Sequence, residues 1–215
     1  VDFRVGSAQW SYLRDTLASI DREKTPWVLF AGHRPGLVDS DWGKSCRGVD
    51  DATYVPRAYA CGPKKPAKID GNDDICDASD VGVALALQKH VWPLLVARGV
   101  DVFVAGHNHA YQRHCAFAGA PKGNASESAS DRSGYFGKSG CAAFSRRRGG
   151  DAEDPVFAYE TPGAPVSLVV GTAGAAFTRH DLGAGFVETT RYAHGFLRLT
   201  AESPSALRGA FVGAG

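Results

Sequence analysis

Gly99-Val100-Asp101-Val102-Phe103-Val104-Ala105-Gly106-His107-Asn108-His109-Ala110-Tyr111-Gln112-Arg113 is the stretch that decides the fold. Its first part is a short apolar run rich in β-branched residues and bounded by glycines, which predicts a buried strand over 100–105. Gly106 then turns the chain, so that His107 and His109 stand at the strand's carboxyl end. That is the end at which open α/β sheets bind ligands. Histidines at i and i+2 in a turn reach one metal ion or two neighbouring ones, and neutral imidazole is the commonest metal donor.

The design recurs upstream. Pro26-Trp27-Val28-Leu29-Phe30-Ala31 reads as a second apolar strand over 26–31 and runs into Gly32-His33-Arg34-Pro35. Pro35 cannot continue a ladder and bends the chain away. Two parallel strands that each deliver histidine at the carboxyl end predict one convergent site.

Around these strands the pattern alternates. Trp10, Leu13, Leu17 and Ile20 at helical spacing predict a helix over 7–24. A second helix is expected from Ser79-Asp80 to Arg98, kinked at Pro93 and ended by Gly99 in the C′ position. Further strands are expected near 156–160, 165–171, 193–199 and 206–212. The stretches near 39–77 and 119–155 lack periodicity and read as loop insertions in a single domain over 1–215. Arg146-Arg147-Arg148 reads as a solvated basic tip. His90 reads as a packing or surface residue, and His114 as a partly exposed loop residue or a group behind the histidine turn. His180 and His194 lie on or near the closing strands. The whole predicts an α/β fold with helices on one face of a sheet.

Composition sets bounds. A chain of 215 residues with 44% hydrophobic and 22% charged residues is ordinary for a globular domain. A net charge of +1 gives no electrostatic case for nucleic acid or an acidic membrane. No run of about 18 apolar residues occurs, so no spanning helix is expected. The chain has no methionine and begins Val1-Asp2-Phe3, and it is read as a processed or partial chain. None of the five cysteines, Cys46, Cys61, Cys76, Cys115 and Cys141, forms a CxxC pair, so disulfides are expected rather than a zinc ribbon. One bridge is expected among Cys46, Cys61 and Cys76, and another between Cys115 and Cys141. Asn124-Ala125-Ser126 is a glycosylation sequon.

These residues together resemble the purple acid phosphatases of the calcineurin-like metallophosphoesterase superfamily. The resemblance is carried by Ala31-Gly32-His33-Arg34-Pro35, by Gln88-Lys89-His90-Val91-Trp92-Pro93-Leu94-Leu95 leading through the strand to His107-Asn108-His109-Ala110-Tyr111-Gln112-Arg113, and by the strands around Pro165–Gly174 and Tyr192–Leu199. That family builds its site from five motifs, of which only the last two occur. No Gly-Asp-x-Gly, Gly-Asp-x-x-Tyr or Gly-Asn-His is present. The resemblance therefore implies the C-terminal half of a metallophosphoesterase β-sandwich flanked by helices, in the αββα four-layer arrangement.

The resemblance also implies a function. His33 and His107 would bind a divalent metal and His109 a ferric ion, giving a dinuclear centre of Fe with Zn, Mn or Fe. Tyr111 and Arg113 would support the histidine turn or meet substrate, and Arg34 and His194 would stand nearby. The histidines that contact phosphate in plant members have no counterpart here, where the equivalent spacing reaches Trp42-Gly43. Arg34 and Lys44 are the candidate anion contacts. The implied reaction is hydrolysis of phosphate monoesters, on small molecules or phosphoproteins, by a metal-bound hydroxide, in a secreted or vacuolar enzyme. The alternatives are a phosphodiesterase or nucleotide pyrophosphatase of the same superfamily, or a non-catalytic binding domain. Without the missing ligands, the isolated chain is expected to be inactive.

Overall fold

The structure, a computed structural model, describes residues 3–39, 80–119, 140–149, 156–159, 163–177 and 183–214. Ser7 caps helix α1 (Ala8–Ala18), its hydroxyl accepting from the Trp10 backbone N–H at 3.1 Å. The helix stops well before residue 24. Asp21 builds a turn instead, its carboxylate accepting from the Glu23 N–H and its carbonyl from Thr25. Strand β1 (Leu29–Gly32) starts later than expected. Pro26 has no N–H to give a ladder, and Val28 donates to the Asp101 carboxylate at 2.7 Å rather than to a strand neighbour.

The second helical stretch is two helices, α2 (Asp80–His90) and α3 (Trp92–Ala97). Pro93 lies in the first turn of α3, where its missing N–H costs least. Gly99 has φ 63°, and the bonds Gly99 N–H to Val96 and Val100 N–H to Leu95 close a Schellman motif. The chain then enters β2 (Val102–Ala105) and, after the histidine turn, β3 (Tyr111–Phe117). The remaining strands are β4 (Cys141–Ala143), β5 (Arg146–Gly149), β6 (Val156–Ala158), β7 (Val166–Val170), β8 (Val187–Arg191), β9 (Gly195–Ser203) and β10 (Ala206–Gly213).

The main sheet has the order β1-β2-β7-β3-β4, with β8 also pairing β3. β1, β2 and β7 are parallel, whereas β3 runs against β7, β4 and β8. Arg146-Arg147-Arg148 lies on a strand, β5, which pairs antiparallel with β6, and Arg146 is exposed.

Trp92 anchors the core. It is fully buried, its ring lies 4.8 Å from Phe103 and 5.4 Å from Phe117, and its indole N–H donates to the Phe117 carbonyl. Burying such a side chain contributes on the order of 1.5–3 kcal/mol. Trp10 donates to the His90 carbonyl and docks α1 on the end of α2. The β9–β10 hairpin is held by Trp27, which donates to Ser203 O, and by Tyr111, which stacks on Phe211 at 4.6 Å. Cys115 and Cys141 form the expected disulfide, joining β3 to β4. Cys46, Cys61, Cys76, Trp42, Lys44, Asn124 and His180 lie outside the described residues.

Candidate functional site

β1 and β2 are paired in register, Gly32 opposite Ala105. Their two exits are thus neighbours, and the Gly106 N–H donates to the His33 carbonyl at 3.1 Å. This pairing brings the side chains together. Nδ1 of His107 stands 3.2 Å from Nε2 of His33, with the rings edge to face at 5.1 Å. Either one ring donates a proton to the other, or both lone pairs face a shared cation. Two nitrogens at about 2.0–2.1 Å from one tetrahedral zinc stand about 3.3–3.4 Å apart, so the observed spacing suits one metal ion.

The backbone is bent to reach this spacing. His107 has φ 64°, and it is the one non-glycine residue with positive φ among the described residues. The left-handed region costs an L-residue about 1–2 kcal/mol, and such residues cluster at functional sites. Asn108 N–H to Gly106 O and Ala110 N–H to Asn108 O tighten the turn that follows.

His109 points elsewhere. Its Nδ1 lies 2.8 Å from the Ala176 carbonyl, which can only accept, so Nδ1 carries the proton and the lone pair is on Nε2. Metal-binding histidines are commonly oriented this way. Among the described residues, no group of three or more His, Cys, Asp or Glu side chains is placed to hold a metal. The described donors fit part of a centre, a histidine pair and one further oriented imidazole.

The neighbours take separate places. Arg34 is half-buried beside His33. Tyr111 supports the region by stacking on Phe211, and burial pushes its phenol above the usual range. Arg113 is drawn into the β3–β8 packing, where it pairs with Glu188 at 3.6 Å and donates to Thr189. His194 rests on Phe177 at 4.6 Å, with Nδ1 3.3 Å from the Thr172 carbonyl. Phe177 follows Ala176, so His194 packs against the segment that holds His109.

His114 is not a loop residue. It is fully buried in β3, its Nε2–H donating to Gln112 Oε1 at 3.2 Å and its Nδ1 accepting from the Ser167 hydroxyl at 3.2 Å. Burial lowers its pKa to about 3, which keeps the imidazole neutral. Gln112 and Asp39, both buried, complete this network. A second cluster escaped the sequence as well. Glu188 accepts from the Ser145 N–H at 2.6 Å, from the Ser145 hydroxyl, and from Tyr159 at 2.7 Å. A shallow cavity of about 440 Å³ opens beside it, lined by Arg113, Phe144, Ser145 and Glu188 among others.

No family model matches the chain. Curated relatives do. One, named probable inactive purple acid phosphatase 9, from Arabidopsis thaliana, is 30% identical over 54% of this chain and 13% of its own length. Another, named acid phosphatase, from Aspergillus ficuum, is 27% identical over 49% of this chain and 11% of its own length. The purple acid phosphatase PPD1 from yellow lupin (Lupinus luteus) seeds has a solved structure that superposes with a TM-score of 0.56 at 20% identity, over 99% of this chain and 27% of that one. The matches thus span about an eighth of the curated relatives and about a quarter of the lupin protein. In sequence and in fold, the chain resembles the C-terminal part of a purple acid phosphatase.

Proposed function

We propose that a chain with this fold, and with His33 and His107 set at metal-ligand spacing, forms part of a metal-dependent phosphatase. The observation that carries the proposal is the 3.2 Å gap between His33 Nε2 and His107 Nδ1, held by a backbone conformation that histidine adopts only at a cost. His33 and His107 would hold one ion and His109 a second, giving a dinuclear centre of Fe with Zn, Mn or Fe once carboxylate donors are supplied from outside the described residues. Such a centre, when bound, neutralises phosphate charge and supplies a nucleophile at moderate pH.

This chain's own groups have narrower tasks. His107 Nδ1 and His33 Nε2 stand 3.2 Å apart at the carboxyl ends of β2 and β1, where both could turn lone pairs to one ion. His109 is locked by the Ala176 carbonyl in the tautomer whose lone pair lies on Nε2. Arg34 lies beside His33, where a guanidinium would favour a phosphate anion. The substrates proposed are phosphate monoesters, on small molecules or phosphoproteins. The Cys115–Cys141 bridge fits an oxidising compartment, which supports a secreted or vacuolar location.

A non-catalytic domain is the second reading. It is favoured by the lack of a complete donor group among the described residues and by an Arabidopsis relative whose name includes "inactive". Titration of the 215-residue chain with Zn(II), followed by calorimetry, tests the metal site. Binding that is lost in His33→Ala and in His107→Ala supports it, and binding unaffected by either substitution overturns it. Hydrolysis of a chromogenic phosphate monoester near pH 5, with Fe, Zn or Mn supplied, then tests the non-catalytic reading, which metal-dependent turnover would overturn. The isolated chain is expected to be nearly inactive, and metal-dependent turnover abolished by His107→Ala would show that it finds a full ligand set.

A further inference from the structure

We propose that Gln112 is a positioning residue for the histidine pair, clipping the far end of the His33 loop to the strand that follows the His107 turn. This rests on the reading of His33 and His107 as metal ligands. Two segments leave the sheet at neighbouring strand ends, His33 to Asp39 and the turn His107 to Ala110, which leads into β3 and Gln112. Their near ends are joined by the Gly106 N–H to His33 carbonyl bond, at 3.1 Å. Their far ends are joined by the Asp39 N–H, which donates to Gln112 Oε1 at 3.1 Å. Covalent chain and hydrogen bonds therefore close a ring, with the histidine contact on one side and Gln112 on the other.

Gln112 suits this task because its amide cannot turn. The Asp39 N–H can only donate, which fixes the oxygen on that side, and His114 Nε2, 3.2 Å from the same oxygen, is thereby the protonated ring nitrogen that donates to it. Both lone pairs are thereby used. His114 is in turn fixed by Ser167, which lies opposite Phe103 in the pairing of β7 with β2, the strand that delivers His107. The amide nitrogen lies 3.5 Å from the Asp39 carbonyl. The middle of the His33 loop is pinned separately, by the Gln88 amide on the Gly36 carbonyl at 2.7 Å. A loop held at one end swings about it, whereas a loop held at both ends keeps its side chain in place. Buried groups behind metal-binding histidines change metal affinity by about 10–100-fold when removed.

The test uses the ¹⁵N-labelled 215-residue chain without metal, and reads the scalar coupling across the His107 Nδ1 to His33 Nε2 contact. Gln112→Met keeps the volume and removes the acceptor, so the coupling should fall by at least half. Gln112→Glu keeps an acceptor oxygen and should restore it. An ester in place of the Val38–Asp39 amide deletes the same hydrogen bond from the loop side, without altering the core, and should act like Gln112→Met. Leu95→Ala, destabilised in the core at a side chain that takes part in neither hydrogen bond, should retain the coupling. A wild type without coupling, a Gln112→Met chain that keeps it, or a Leu95→Ala chain that loses it equally, overturns the proposal. Co(II) titration adds a second reading, with about tenfold or greater weakening expected in Gln112→Met. If the wild type shows the coupling yet binds no cobalt, the metal assignment fails, and the coupling alone decides the role of Gln112.

Discussion

Gly171 and the Asn108 carbonyl are in direct backbone contact: a β-carbon at Gly171 would overlap that oxygen and crowd Cα of His109 at 3.3 Å. The carboxyl end of β7 thus lies flat under the histidine turn, and the Gly171 N–H donates to Ala110 O. The turn is braced from below by a residue without a side chain.

Gly171→Ala should therefore displace the turn. The neighbour is backbone and cannot swing aside, so the cost should be about 1–3 kcal/mol, as for other overpacked sites. Urea unfolding measures the loss, and the ¹⁵N shifts of His109 report the displacement. A variant with wild-type stability and unchanged His109 shifts would show that the contact is slack.

The φ of 64° at His107 predicts a trade between stability and binding. Glycine adopts this conformation freely and alanine does not. His107→Gly should be more stable than His107→Ala by about 1 kcal/mol, while neither retains Zn(II) affinity. Paired urea titrations at fixed pH decide the point. Equal stability of the two variants would mean that the turn relaxes out of the left-handed region.

Much of this site was legible because its signals are local. The apolar run, the glycine and the histidine stand within a few residues of one another in both β1–Gly32–His33 and β2–Gly106–His107, and strand and turn physics act over that range. Strand β3 was not legible. It is buried on both faces, so polar and apolar residues do not alternate, and Gln112 and His114 are polar residues placed inside. A bulge between Arg113 and Ala116 further breaks the period. The groups around Glu188 come from positions 113, 145, 159 and 188, and only the fold makes them neighbours. Thr189 and Thr190 did carry a β-branched hint of β8.

His114 predicts a pH dependence. Its folded pKa is about 3, against about 6.5 when unfolded. Between those values the unfolded chain binds the proton and the folded chain does not, so stability falls as pH drops from about 6.5 towards 3. The slope from one such group is at most about 1.4 kcal/mol per pH unit. Above pH 6.5 the group has no effect on the slope. His114→Gln keeps a donor towards Gln112 and cannot titrate, so it should be less stable at pH 7 yet show a flatter profile below 6.5. Urea midpoints taken across that range test the difference between the two slopes.

The Cys115–Cys141 bridge closes a loop with a sequence separation of 26. Loops of that order gain about 2–4 kcal/mol from cross-linking. Reduction, or replacement of both cysteines by alanine, should lower the urea midpoint accordingly. Thiol titration of the denatured, unreduced chain should leave these two sulfurs unreactive, and labelling of either would refute the bridge.

Glu188 carries the last prediction. Its side chain is 8% exposed and receives the Ser145 N–H and hydroxyl and the Tyr159 hydroxyl, while the Arg113 guanidinium lies 3.6 Å away. Each of these groups offers a proton, so the position calls for an acceptor with negative charge. Tyr159 is held far above the usual phenol range, first by burial and then by its bond to Glu188. Glu188→Gln places an amide NH₂ among donors and removes the negative charge that faces the Arg113 guanidinium, which is 16% exposed. Breaking a buried pair from one side costs about 3–5 kcal/mol. Arg113→Met alone should cost less, because Glu188 keeps its Ser145 and Tyr159 donors. The double variant Arg113→Met/Glu188→Leu should recover part of the loss, since it leaves no buried charge unpaired. Urea unfolding of all three variants tests the ordering. If Glu188→Gln proves as stable as the wild type, the carboxylate is not the hub of this cluster.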